Sequence, residues 1–142
     1  MAYVDGFVIP VAKKKIKQYT KLAALAGKVW MEHGALEYRE CVADDLDAAF
    51  GVPFAKLVGL KKGETVVFSW IVYKNLQHRD RVNAAVMQDK RIDTLCKSGI
   101  PFDGRRMSYG GFQTVVDHVT KKSAAKKTAA KKPAKKAVKK KK

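Results

Sequence analysis

The chain has 142 residues, 46% hydrophobic and 30% charged, which suits one globular domain and excludes a wholly disordered chain. Its net charge of +17 is unevenly spread: residues 121–142 hold 12 of the 30 basic residues and no acid, leaving 18 basic against 13 acidic residues elsewhere, or +5. The strong basicity is therefore a property of the C-terminal segment and is no argument for a nucleic-acid-binding fold in the rest.

Tyr3 to Val11 is short, aromatic and β-branched, and stops at the Lys13–Lys15 run, so it reads as a strand. Pro10 has no N–H to donate and belongs near the strand end or on an unpaired edge. Lys14 to Glu32 reads as one long helix, with Ile16, Tyr19, Ala23, Ala26 and Trp30 at helical spacing. Gly34 suits a left-handed cap, and His33 stands in the last turn at the negative end of the helix dipole. Leu36 to Val42 alternates like a half-exposed strand. Residues 43–63 form a long loop, acidic at first, with a short helical turn or edge strand possible within Phe54 to Leu60.

Glu64 to Tyr73 is the strongest strand signal and is apolar on both faces: Val66, Phe68, Trp70 and Val72 on one, Val67, Ile71 and Tyr73 on the other. Asn75 is a candidate N-cap for a helix whose inward residues are Val82, Ala85 and Val86. A second short helix covers Asp89 to Lys97. After a Gly- and Pro-rich connector, Met107 to His118 reads as the last strand, with Gly110 and Gly111 marking a bulge or a close backbone approach.

The order β-α-β-β-α-β implies an α+β, ferredoxin-like fold: a four-stranded antiparallel sheet with both helices on one face. One apolar side of the Glu64–Tyr73 strand would then meet water. Patches of several hundred Å² are rarely left open, so a homodimer with sheets packed face to face is expected.

Several blocks resemble the YbaA-like bacterial family: Tyr3-Val4-Asp5-Gly6-Phe7, Gly27-Lys28-Val29-Trp30, His33 to Tyr38, Glu64 to Tyr73, and Pro101 to Phe112. The resemblance spans about residues 1–118. It implies a dimeric α/β-barrel domain of unknown function and supplies no established activity. That superfamily also implies a cleft between sheet and helices able to host small-molecule chemistry, cofactor-free oxygenation and isomerisation included.

The chain thus divides into a folded domain, 1–119, and a Lys/Ala-rich tail, 120–142, expected to be disordered. The tail is similar in composition to those of linker histones. Its lysines, Lys121, Lys122, Lys126, Lys127, Lys131, Lys132, Lys135, Lys136, Lys139, Lys140, Lys141 and Lys142, are expected to bind DNA, RNA or another polyanion by counterion release. No aromatic residue is interleaved, so base stacking and sequence specificity are not expected.

No catalytic motif, phosphate loop or metal-ligand cluster is present in the pattern, and no cofactor is expected. Cys41 and Cys96 are too few and wrongly spaced for a disulfide scaffold or zinc. Met1 to Pro10 lacks a secretory n-region, and no apolar run approaches the ~18 residues of a membrane span, so the expected compartment is the cytoplasm and no membrane partner is expected.

His33, His78 and His118 fall in different elements. Asp5 interrupts an apolar strand. It points either to solvent at an edge or into the sheet–helix cleft, paired with Arg105, Arg106 or His78 at a perturbed pKa. Asp5 and His78 are the weak catalytic candidates, with Trp70, Tyr109 and Arg105 as candidate cleft residues; core packing is the competing role of Trp70 and Tyr109. Two functions stay open: a binding or housekeeping dimer with a polycationic tail, and a small cofactor-free enzyme acting on a hydrophobic ligand.

Overall fold

The computed structural model describes residues 1–120; the lysine-rich 121–142, with the polyanion binding expected of it, lies outside the described residues. The elements are β1 (Tyr3–Ala12), a 3₁₀ turn (Lys13–Lys15), α1 (Ile16–Glu32), β2 (Glu37–Val42), α2 (Phe54–Leu57), β3 (Glu64–Tyr73), α3 (Leu76–Met87), α4 (Lys90–Lys97), a 3₁₀ turn (Gly104–Arg106) and β4 (Ser108–Gln113). The four strands form one antiparallel sheet in the order β2-β3-β1-β4, the expected ferredoxin-like arrangement.

Register decides which side chains share a face. Asp5 lies opposite Ile71 and Gly111, and Ile71 lies opposite Tyr38. From Val67 on, the residues of β3 with the parity of Ile71 (Val67, Ser69, Ile71, Tyr73) are buried, under α1, α3 and α4. The core there has two lobes. One joins Val29, Ile71, Tyr73, Val82, Val86 and Ile92; the other joins Ile9, Val11, Tyr19, Ala23 and Val67. The opposite parity presents Val4, Gly6, Val8, Phe68, Trp70, Val72 and Phe112 on a face that no helix layer of the described residues covers. Phe68 there is 45% exposed and Phe112 61%. At one corner Phe54 of α2 rests on Phe68 with ring centroids 6.0 Å apart.

Local chemistry sets the boundaries. The first turn of the expected helix is 3₁₀, and the α-helix proper starts at Ile16. It closes in a Schellman motif: Gly34 (φ 114°) donates to the Met31 carbonyl at 3.1 Å and Ala35 to that of Trp30 at 3.0 Å. Asn75 caps α3 by accepting the His78 N–H at 2.8 Å, and Asp89 caps α4 by accepting that of Arg91 at 2.9 Å.

The last strand is shorter than expected, ending at Gln113 rather than His118. Its partner is β1, and Gln113 already lies opposite Tyr3, the first residue of β1. One further bond, from the Thr114 N–H to the Ala2 carbonyl at 2.9 Å, ends the pairing. The register past Gly110 and Gly111 is unbroken, so there is no bulge. The glycine at 111 answers to close approach, because a Cβ there would overlap the Tyr3 ring.

Gly27 does the same for the helix–sheet contact. A Cβ at this position would stand 2.7 Å from the Tyr38 ring. That ring cannot retreat freely: its hydroxyl donates to Glu40 at 2.8 Å and its other side tilts against Trp30. Gly27→Ala, which in an exposed helix would stabilise by about 1 kcal/mol, is expected here to destabilise by ~1–3 kcal/mol in urea unfolding through overpacking.

Candidate functional site: a cleft between sheet and helices

Between the helix-covered sheet face and α1, α3 and α4 lies a cleft of about 540 Å³. Its wall is mostly apolar, formed by Phe7, Ile9, Leu22, Trp30, Ile71, Met87, Ile92, Leu95, Phe102 and Met107. Asp5, Arg79 and Asn83 bring a compact polar group to it. Asp5 reaches it because the middle of β1 pairs on both sides, which places residue 5 at the centre of the sheet with its side chain toward the helices. Asp5 is only 6% exposed, so the solvent-edge alternative does not hold.

Its partners are not those expected from the sequence. Arg79 Nε stands 3.5 Å from Asp5 Oδ1, and Asn83 Nδ2 donates to Oδ2 over a long 3.4 Å. The Asn83 amide is itself fixed, since its oxygen accepts from the Trp30 indole N–H and from the Tyr73 hydroxyl, both at 3.0 Å. Arg79 is held over the Tyr3 ring at 5.1 Å and donates to the Tyr3 hydroxyl at 3.3 Å. Among the described residues, Arg79 Nε is the buried side-chain polar atom that makes no hydrogen bond. Burial raises the Asp5 carboxyl above the usual carboxylate range, and Arg79, Asn83 and Tyr73 oppose the rise without cancelling it. The Tyr73 hydroxyl is pushed up in turn, first by burial and then by the Asp5 charge.

A second polar group closes the β2 side of the cleft. Glu40 accepts from the Tyr19 hydroxyl at 2.7 Å and the Tyr38 hydroxyl at 2.8 Å, and burial raises the pKa of both phenols.

The remaining sequence candidates are dispersed. Trp70 lies on the opposite sheet face, because its register partners are Gly6 and Arg39; its indole N–H donates to Glu37 at 2.9 Å. Arg105 is outside the cleft, with a side chain 92% exposed and bonded to Asp103. Arg106 pairs with Glu64 at 2.6 Å. His78 does not line the cleft. Its Nδ1 accepts the Lys74 N–H at 3.0 Å, its ring meets Tyr73 edge-on, and desolvation with Lys74 and Arg81 lowers its pKa. Tyr109 stands at the rim, stacked on Phe7 with centroids 5.9 Å apart. His33 ties the end of α1 to the α3–α4 junction through Asp89 at 2.8 Å.

Sequence reasoning missed Arg79, Asn83 and Trp30. A signal was present: Arg79, Val82, Asn83 and Val86 follow the i, i+3, i+4, i+7 stripe of a buried helix face, so the two polar members point inward with the valines. Among the described residues, no three His, Cys, Asp or Glu side chains converge to hold a metal ion, and no helix is long and apolar enough to cross a membrane.

Comparison with known proteins adds family and fold. A family model described as "Protein of unknown function (DUF1428)" matches residues 2–104. The uncharacterized protein YbaA of Escherichia coli K12 is 42% identical over 117 residues, 82% of this chain and 99% of the relative; the Shigella flexneri protein matches equally. Among solved structures, a putative antibiotic biosynthesis monooxygenase from Nitrosomonas europaea aligns with TM-score 0.54 at 10% identity, covering 83% of this chain and 94% of that one. A NIPSNAP domain protein from Burkholderia xenovorans aligns with TM-score 0.51 at 10% identity, covering 83% and 99%. At such identities the structural likeness is one of fold.

The raised Asp5 pKa has a thermodynamic signature. Above the unfolded value near 3.8 the native carboxyl keeps its proton longer than the unfolded one, so the native state binds more protons there. The stability this contributes is complete below that value and is lost as pH rises through the native pKa. The unfolding free energy of the natural protein minus that of Asp5→Asn should therefore be largest in acid and shrink as pH rises, in urea titrations across pH 3–8. A difference that widens with pH would contradict it.

Proposed function

This chain belongs to the DUF1428 family, whose function is unknown, and on that footing we propose that it is a dimeric domain that takes a small, mostly apolar molecule into each sheet–helix cleft and uses Asp5 for proton transfer to and from it. The observation that carries this reading is the Asp5 carboxyl itself. It is buried beside an apolar cavity, its pKa is raised, and Arg79 and Asn83 hold it without satisfying it fully. A carboxylate whose pKa is raised by burial is a stronger base than a solvated one and is better suited to take a proton from a ligand.

In this reading Asp5 accepts a proton from an acidic C–H or O–H of the ligand and can return it to another ligand atom, as an isomerisation requires. The electron pair stays on the ligand, and in this reading the Arg79 guanidinium, which lines the cleft, donates to an oxygen on which that charge gathers. Trp30 and Tyr73, through Asn83, keep Asp5 oriented. The apolar wall supplies affinity and excludes water.

Two further parts of the proposal concern assembly. The open sheet face, with Phe68, Trp70, Val72 and Phe112, is assigned to a second copy of the chain; the support is its apolar character and its lack of a helix layer among the described residues. The lysine-rich residues 121–142 are assigned to non-specific polyanion binding, supported by composition alone. Localisation in the cytoplasm belongs with these proposals.

A thermal-shift screen of small hydrophobic carbonyl and phenolic compounds tests the cleft. At least one compound is expected to raise the Tm of both the natural protein and Asp5→Asn. Its turnover, followed by solvent deuterium incorporation, is expected to fall ~10²–10⁴-fold in the variant. A screen without any stabilising compound, or equal deuterium incorporation by the variant, would reject the reading.

A further inference from the structure

The fold gathers basic residues that are far apart in the chain. β1 ends at Ala12 and runs straight into Lys13, Lys14 and Lys15. The Lys13 N–H donates to the Gly63 carbonyl at 2.9 Å, which seats this turn beside the loop carrying Lys61 and Lys62. Arg106 reinforces that loop, donating to the Gly59 carbonyl at 2.9 Å and pairing with Glu64 at 2.6 Å. All five lysines are exposed, and none makes an ion pair among the described residues. Glu64 and Asp103, which line one hollow with Lys15, are paired with Arg106 and Arg105. The acidic stretch Asp44, Asp45 and Asp47 follows β2, which is bonded to β3 and separated from β1 by it. Of the five lysines, Lys13, Lys14 and Lys15 therefore stand one strand further from these acids than Lys61 and Lys62 do.

From this juxtaposition we infer that the folded domain has its own docking surface for a nucleic-acid backbone, made of Lys13, Lys14, Lys15, Lys61 and Lys62, in addition to the lysine-rich segment at the C-terminus. Lys13–Lys15 follow the end of β1 and Lys61 and Lys62 precede the start of β3, and these two strands are neighbours about 4.8 Å apart. A DNA duplex carries one charge per about 1.7 Å of axis, so these lysines, none of them in an ion pair among the described residues, complement a short run of phosphates. A membrane surface fits less well: the Lys13–Lys15 turn carries three consecutive lysines and no apolar residue to insert among lipid chains. Its five members are lysines, point charges without a planar fork or ring, so they read phosphate and not base.

The surface reaches beyond the cleft reading and does not depend on it. Its test is the salt dependence of full-chain binding to a short mixed-sequence DNA duplex. With Lys13, Lys14, Lys15, Lys61 and Lys62 all changed to Gln, the slope of log affinity against log salt is expected to fall by about 3–4.5, at ~0.9 for each phosphate no longer neutralised. The control Lys28→Gln/Lys74→Gln/Lys90→Gln removes exposed charge elsewhere and should shift the slope by less than about 1. An unchanged slope in the five-site variant would mean that the C-terminal lysines act alone. An equal fall per lysine in the control would reduce the effect to net charge. A five-site variant that no longer bound phosphatidylserine vesicles and kept its duplex affinity would place the surface on membranes. Each of these three outcomes overturns the inference.

Discussion

A sheet that is apolar on both faces, with a helix layer among the described residues on one of them, is the constraint from which the rest of this molecule follows. β3 carries Val67, Ile71 and Tyr73 toward the helices and Phe68, Trp70 and Val72 away from them. The helix side closes into a core with a cleft left in it. The other side keeps large rings in water, with Phe112 61% exposed, and the short α2 covers only its edge through Phe54. Hydrophobic burial contributes ~1.5–3 kcal/mol for each large side chain removed from water, so an open face of several such rings favours pairing. The proposed dimer is the economical answer to that constraint.

The cleft follows from the same geometry. A carboxylate on a central strand has no water to solvate it, and burying it unpaired would be prohibitive. Arg79 and Asn83 reduce that cost, yet the ion pair is at 3.5 Å and the amide contact at 3.4 Å, both long. The result is a carboxyl shifted toward its neutral form instead of a tight structural salt bridge. Arg106–Glu64 shows the contrast: two close contacts, at 2.6 and 3.0 Å, hold the Glu64 carboxyl below its usual range and pin a loop. One pair fastens the chain, and the other leaves unspent hydrogen-bonding capacity beside a cavity.

Much of this was legible in the sequence, and the failures have physical reasons. Element order, the doubly apolar β3 and the Asn75 cap follow from local pattern, and local pattern survived folding. The face occupied by Trp70 did not follow, because register is set between strands and a shift of one residue exchanges the faces. The length of β4 depended on where β1 begins, which no property of Val115 or Val116 reveals. Arg79 and Asn83 were overlooked because polar helix residues are usually solvated; their spacing with Val82 and Val86 held the information. Asp5 was recognisable as an anomaly, although its true partners lay 74 and 78 positions along the chain.

The charge is partitioned as the apolar surface is. The domain is nearly balanced, and most of the excess sits in the last 22 residues. None of this bears on the proposed sheet pairing, which would rest on rings and not on ions, and high salt therefore separates the two. Light scattering of the full chain at about 10 µM in ~0.5 M salt, where polyelectrolyte contacts are screened, is the direct measurement. The account predicts twice the chain mass for the natural protein and the single-chain mass for Phe112→Asp; a natural protein at the single-chain mass would contradict it.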